Sequence, residues 1–215
     1  MSLSSRDLVL GRIRGALNAR GDADVIALKQ RISSPPRWTR PAFDGDDVAR
    51  FVQKAKANLS SVEFVATLAD VGNAVNAILQ FQGTPRDVSI APGLAHVAWP
   101  EHWTVNFGTG RPVEHVAITD ATAGIAETGS VVMCSEAGRP GGLNFLPELH
   151  VAVLHKADIV HHLEDIWPKI RALPVWPRAV NIISAPSRTA DVAQIVVRPA
   201  HGPKSLHIII VEAEQ

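Results

Sequence analysis

Glu127 is the acid whose setting most favours chemistry. It stands in Ala126-Glu127-Thr128-Gly129-Ser130, after Gly124 and just ahead of the apolar run Val131–Cys134. A carboxylate placed so could act as nucleophile or general base. It could equally accept backbone N–H bonds and order its own turn, and one acid without a visible partner does not separate the two. Thr128, Gly129 and Ser130 would line the same turn. Neither hydroxyl lies in a G-x-S-x-G setting, which argues against a hydrolase nucleophile elbow.

Two further stretches carry groups suited to an anion. In Gly138-Arg139-Pro140-Gly141-Gly142, Arg139 supplies charge, and Gly141 and Gly142 leave backbone N–H groups open. The spacing is not that of a phosphate-binding P-loop, and no G-x-G-x-x-G occurs, so a plain tight turn stands beside the anion cradle. In Ser187-Arg188-Thr189-Ala190-Asp191, Ser187 would cap a short helix and Arg188 would add a cation, after the strand-like run Val180–Ser184. Ligands of α/β sheets collect beyond the C-terminal ends of parallel strands. The competing reading is an Asp191–Arg188 pair that holds a turn. His201, in a His-Gly-Pro turn, completes the set as an acid/base candidate or as a loop imidazole bonded to backbone.

Metal chemistry has little to stand on. The nine histidines are scattered, no H-E-x-x-H occurs and Cys134 is the single cysteine. One thiol excludes an intramolecular disulfide and any multi-cysteine zinc or iron–sulfur site within this chain. No metal or cofactor is therefore expected, and Cys134 reads as inert core. Twenty-one Lys and Arg balance twenty-one Asp and Glu, which argues against a dedicated nucleic-acid binder. No long apolar run suggests a signal peptide or membrane span, so the expectation is a soluble cytoplasmic protein.

The elements that must position these residues alternate in type. A helix is expected over residues 4–19, with Val9, Ile13, Ala16 and Leu17 on one face. Eight Lys and Arg against three Asp and Glu occur in residues 1–40; this is a solvated basic face or a docking arm for an acidic partner. The Pro-rich stretch 33–45 is a linker. Val48, Phe51, Val52, Ala55 and Leu59 mark another helix, capped by Asp46 or Asp47. Beyond residue 61, short apolar runs at 62–67, 88–91, 104–107, 113–118, 131–134, 151–154, 180–184 and 206–211 read as strands. Helical patterns lie at 68–82, with Gly83 as its stop, and from Asp158 to about residue 170, kinked by Pro168. Such alternation predicts an α/β fold with a mainly parallel sheet covered on both faces. The organisation is a helical segment and linker over 1–60 and an α/β domain over 61–215.

The motifs AETGS (126–130), GRPGGLNFLPELHVAVL (138–154), APSRTADV (185–192) and HGPKSLHIIIVE (201–212), in that order, resemble the lactate utilisation protein C family, also called LUD-domain proteins. The resemblance covers the C-terminal half most closely. It implies a Rossmann-like sheet of the NagB/RpiA/CoA-transferase kind. It implies a non-redox subunit of a system that oxidises L-lactate to pyruvate, working with iron–sulfur partner proteins and binding a small carboxylate or phosphate; homo-oligomers are compatible with it. Where relatives read Asp-Ile-Glu, this chain has Asp191-Val192-Ala193, so no acidic role is carried over to position 193. The alternative is an independent enzyme, a CoA-transferase-like or sugar-phosphate-isomerase-like catalyst built on Glu127.

Overall fold

The computed structural model describes residues 5–18, 22–34, 39–108, 115–136, 141–190, 196–197 and 202–213. Two compact units divide the chain, Met1–Phe43 and Asp44–Gln215. The first contains α1 (Ser5–Asn18) and α2 (Asp22–Ser33). α2 was not anticipated: its apolar residues Val25, Leu28 and Ile32 are spaced for one face, yet they are diluted by polar neighbours.

The second unit opens with α3 (Asp47–Ala57). Asp46 is its N-cap, its carboxylate accepting from the N–H groups of Val48 at 3.3 Å and Ala49 at 3.0 Å. Phe51 and Ala55, on the apolar stripe, are fully buried. The elements that follow are β1 (Ser61–Val65), α4 (Val71–Gln82), β2 (Asp87–Ile90), β3 (Thr104–Phe107) and β4 (Val116–Asp120). Then come β5 (Ala123–Ile125), β6 (Ser130–Cys134), β7 (Leu149–His155), β8 (Ile159–Val160), α5 (Ile166–Arg171) and β9 (Val180–Ile183). β10 (Thr189–Ala190), β11 (Val196–Val197) and β12 (Ser205–Val211) complete the order. α4 starts after a Thr67/Asp70 capping box and stops at Gly83, which adopts φ +65°.

Six strands form one wholly parallel sheet in the order β1-β12-β7-β4-β2-β3. This is the α/β class expected from the alternating runs. Successive side chains of β4, β7 and β12 point to opposite faces, and most are apolar and buried, as burial on both faces requires. On one face Val116, Ile118, Val151, Val153, Ile209 and Val211 pack against Val71, Val75, Ile78 and Leu79 of α4. Trp103 closes this core and stacks on Trp99, ring centroids 5.8 Å apart.

The opposite face is covered by more than helices. A four-stranded sheet, β8-β5-β6-β9, lies there with α3; β5–β6 and β6–β9 are antiparallel, β5–β8 parallel. Close packing of the layers selects small residues. A Cβ on Gly124 would stand 2.7 Å from Leu154 Cδ2 and 3.0 Å from Phe51 Cε2. β10 and β11 pair antiparallel as a separate ribbon.

One helix differs from expectation. No helix starts at Asp158: Ile159 and Val160 pair in register with Gly124 and Ile125. A β-branched pair beside an open strand edge favours extension. α5 begins only at Ile166, after a His162/Asp165 capping box. Pro168 therefore falls in the first helical turn, where its missing N–H costs nothing, and it does not divide the helix.

Candidate functional site

The C-terminal ends of β4 and β7 open into a cavity of about 570 Å³. Five carboxylate or imidazole side chains line it: His96 from the turn after β2, Asp120 at the end of β4, Glu136 after β6, His155 at the end of β7 and Asp158 after it. Thr122, Cys134 and Ser135 lie between them, and Leu173, Pro174 and Val175 supply an apolar wall beyond α5. Volume and mixed lining match those of small-molecule sites, and the end of the sheet is the one where parallel α/β folds bind ligands.

Gly93 shapes the floor. A Cβ there would approach Asp120 Oδ2 to 2.9 Å and Oδ1 to 3.1 Å, so the carboxylate rests directly against the Pro92-Gly93 turn. Across the cavity, Asp158 is tied to Lys169 Nζ at 2.5 Å, and Ser135 Oγ accepts from the Ala179 N–H at 2.8 Å. Cys134 ends β6 in the buried apolar cluster of Ile125, Val132, Ile166 and Ile170, and also borders the cavity. Among the described lining residues there are three carboxylates and two imidazoles, and neither Lys nor Arg. Among all described residues, no group of three His, Cys, Asp or Glu is arranged to hold a metal ion.

The residues singled out from sequence lie elsewhere. Glu127 lies in the turn at the other end of the β5–β6 hairpin from Thr122. Its Oε2 faces His162 Nδ1 at 3.3 Å and accepts the Leu163 N–H at 3.3 Å. Its own N–H donates to the His161 carbonyl at 3.1 Å. These are the bonds of a carboxylate that orders its turn. Gly129 adopts φ +69°, and a Cβ there would come within 2.3 Å of the Ala55 N of α3. The tightness of the AETGS turn thus has a packing cause. Thr128 Oγ1, Ser130 Oγ and Ser184 Oγ form a chain with 2.7 Å steps, and Asn58 Nδ2 donates to the Thr128 carbonyl at 2.9 Å.

Ser187 follows β9, an antiparallel strand of the small sheet, so the parallel-strand rule does not apply to it. Its N–H donates to the Pro203 carbonyl at 2.8 Å. A Cβ on Gly202 would lie 2.9 Å from Ser187 Cβ and 3.7 Å from the Phe145 carbonyl oxygen. Arg188 donates to the Ser187 and Lys204 carbonyls at 3.3 and 3.4 Å. Gly141 and Gly142 open a 3-10 turn, Gly141–Asn144, that leads toward the start of β7. These groups therefore gather where β7 and β12 begin, while the cavity lies where β4 and β7 end. Thr189 begins β10 rather than a helix. Arg139, Asp191 and His201 lie outside the described residues.

Buried polar groups add a last feature. His150 on β7 is fully buried with Nε2 2.7 Å from Thr119 Oγ1, and burial pulls its pKa down to about 4. Its Nδ1 has no hydrogen-bond partner among the described residues. His207 is also pulled down by burial, against the opposing pull of Glu63, whose Oε2 is 3.5 Å from Nε2. At the surface, the Lys204 hydrogen bond holds Glu148 below the usual carboxylate range. Sequence reasoning missed the cavity residues, yet a signal existed: His155 immediately follows an apolar strand run, and Asp120 follows another after Thr119.

Comparison with known proteins agrees with the α/β fold. Residues 114–211 match the LUD domain family model. An uncharacterized protein YkgG of Escherichia coli is 38% identical over 100 residues, which are 44% of this chain and 43% of that protein. Lactate utilization protein C of Geobacillus thermodenitrificans is 25% identical over 202 residues, 82% of this chain and 84% of the relative. The protein of the same name from Geobacillus kaustophilus is 25% identical over 205 residues. Among solved structures, a DUF162 family protein from Deinococcus radiodurans superposes with a TM-score of 0.61 at 18% identity, over 80% of this chain and 99% of that one, which is a likeness of fold. Residues 114–211 thus match the LUD domain family model, and across most of its length the chain is similar to lactate utilization protein C.

Proposed function

We propose that this protein is the cluster-free, ligand-binding subunit of a system that oxidises L-lactate to pyruvate, and that the cavity at the ends of β4 and β7 is where the ligand sits. The observation that carries the reading is the convergence of His96, Asp120 and His155 in that cavity. The names of the relatives attach lactate to it. A single cysteine leaves the chain without a cluster of its own, so electrons would pass to iron–sulfur partner proteins.

The lining sets what the ligand must carry. Carboxylates at Asp120 and Glu136 call for hydroxyl donors. A small carboxylate would turn to the N–H groups of His96 or His155, since no Lys or Arg is among the described lining residues. L-lactate offers one hydroxyl and one carboxylate. A three-carbon acid fills only part of about 570 Å³, so a larger hydroxylated compound is the natural competitor.

Calorimetric titration of the full chain with L-lactate and with pyruvate tests the reading. Binding of either that vanishes in Asp120→Asn is the expected result. Heat that is unchanged by Asp120→Asn and by His155→Gln would refute the cavity as the site. A pull-down from lactate-grown cells tests the partner: a cysteine-rich protein recovered with the bait supports it, and its absence counts against it.

A further inference from the structure

Residues 1–43 carry eight Lys and Arg against three Asp and Glu, a formal +5; the whole chain sums to zero, so the remainder carries −5. This boundary is also the one between the two compact units. One chain therefore holds a basic helical unit and an acidic α/β unit of equal and opposite charge.

The basic unit has exposed apolar side chains among its described residues. Val9, Ile13 and Leu17 recur at helical spacing on α1, Val25, Leu28 and Ile32 on α2, and all six are exposed. A helix of such pattern is stable when its stripe packs against something. The acidic unit offers a matching surface. The outer face of α4 holds Asn73, Ala77, Gln80 and Phe81, and α4 has no charged residue at all. Phe81 is 93% exposed. An uncharged helix face with a bare phenyl ring is unusual on a solvated surface and suits the stripe of another helix.

We propose that α1 and α2 of one copy pack on the outer face of α4 of a second copy, with Phe81 as the central anchor, giving a reciprocal two-fold dimer. The charge asymmetry steers the encounter, basic unit to acidic unit, and disfavours pairing of like units. In a closed two-fold dimer both arms are used and both α4 faces covered.

Sedimentation velocity of the full chain tests this over a range of concentration and salt. Wild type is expected to be a dimer that weakens as salt rises. Phe81→Glu and Ile13→Glu, each an exposed position whose change leaves the circular dichroism spectrum intact, should each raise the dissociation constant at least ten-fold. Mixing the two variants should restore some dimer, because one Phe81–Ile13 contact survives in the mixed pair; a merely unfolded variant would not do this. A wild type that stays monomeric, or a dimer indifferent to both substitutions, overturns the proposal.

Discussion

His150 makes the stability of this fold sensitive to acid, by an amount that follows from its burial. Its imidazole is fully buried and held neutral, with a pKa of about 4, against about 6.5 in an unfolded chain. A histidine with a depressed folded pKa stabilises the fold fully above about pH 6.5, and that contribution is lost as pH falls toward about 4. One pKa unit is worth about 1.4 kcal/mol, so the whole window is worth about 3 kcal/mol, of which about 2 kcal/mol is gone at pH 5. His207 moves in the same direction, since burial also lowers its pKa. Urea unfolding at about pH 7 and about pH 5 reads the loss, and His150→Leu isolates it. Thr119, which loses its imidazole partner in that variant, retains Met133 Sδ at 3.9 Å. The variant should lose about 2 kcal/mol less than wild type between the two pH values. Equal pH dependence in the two proteins would refute a neutral buried His150.

Other substitutions separate packing from chemistry. Gly129→Ala places a Cβ at positive φ and against the α3 backbone; left-handed strain and overpacking together should cost roughly 3 kcal/mol, read as a lower urea midpoint. Glu127→Gln weakens the bonds to His162 and Leu163 and should cost roughly 1 kcal/mol while leaving growth on L-lactate unchanged; loss of growth with stability intact would return Glu127 to the catalytic reading. Gly93→Ala should displace the Asp120 carboxylate and weaken ligand binding with a melting temperature within a few degrees of wild type; unaltered titration heats would contradict the contact.

The large sheet was legible because its central strands are buried on both faces and read as largely apolar runs: Val116–Ile118, Val151–Leu154 and Leu206–Val211, broken only by His207, need no partner to be recognised. α3 and α4 were equally plain from their stripes and caps. Of the small sheet, β6 and β9 were legible but β5 and β8 were not, because three- and two-residue strands carry too little pattern and their pairing depends on the large sheet they pack against. The cavity was not legible for a related reason. Glycine-rich motifs draw attention, yet Gly124 and Gly129 are glycine because Phe51, Leu154 and the α3 backbone press on them. Asp120 and His155 belong to no motif. Only knowing that their strands are adjacent and parallel brings them to one cavity.

The most direct measurement is complementation. A bacterial host lacking its own lactate utilization protein C, and unable to grow on L-lactate, receives this chain as wild type, as Asp120→Asn with His155→Gln, or as Arg188→Ala with Ser187→Ala, at equal protein levels. Restored growth by wild type and by the Ser187/Arg188 variant, with none from the Asp120/His155 variant, is the result the cavity requires. Growth with the Asp120/His155 variant, or failure of wild type to restore growth, would contradict it.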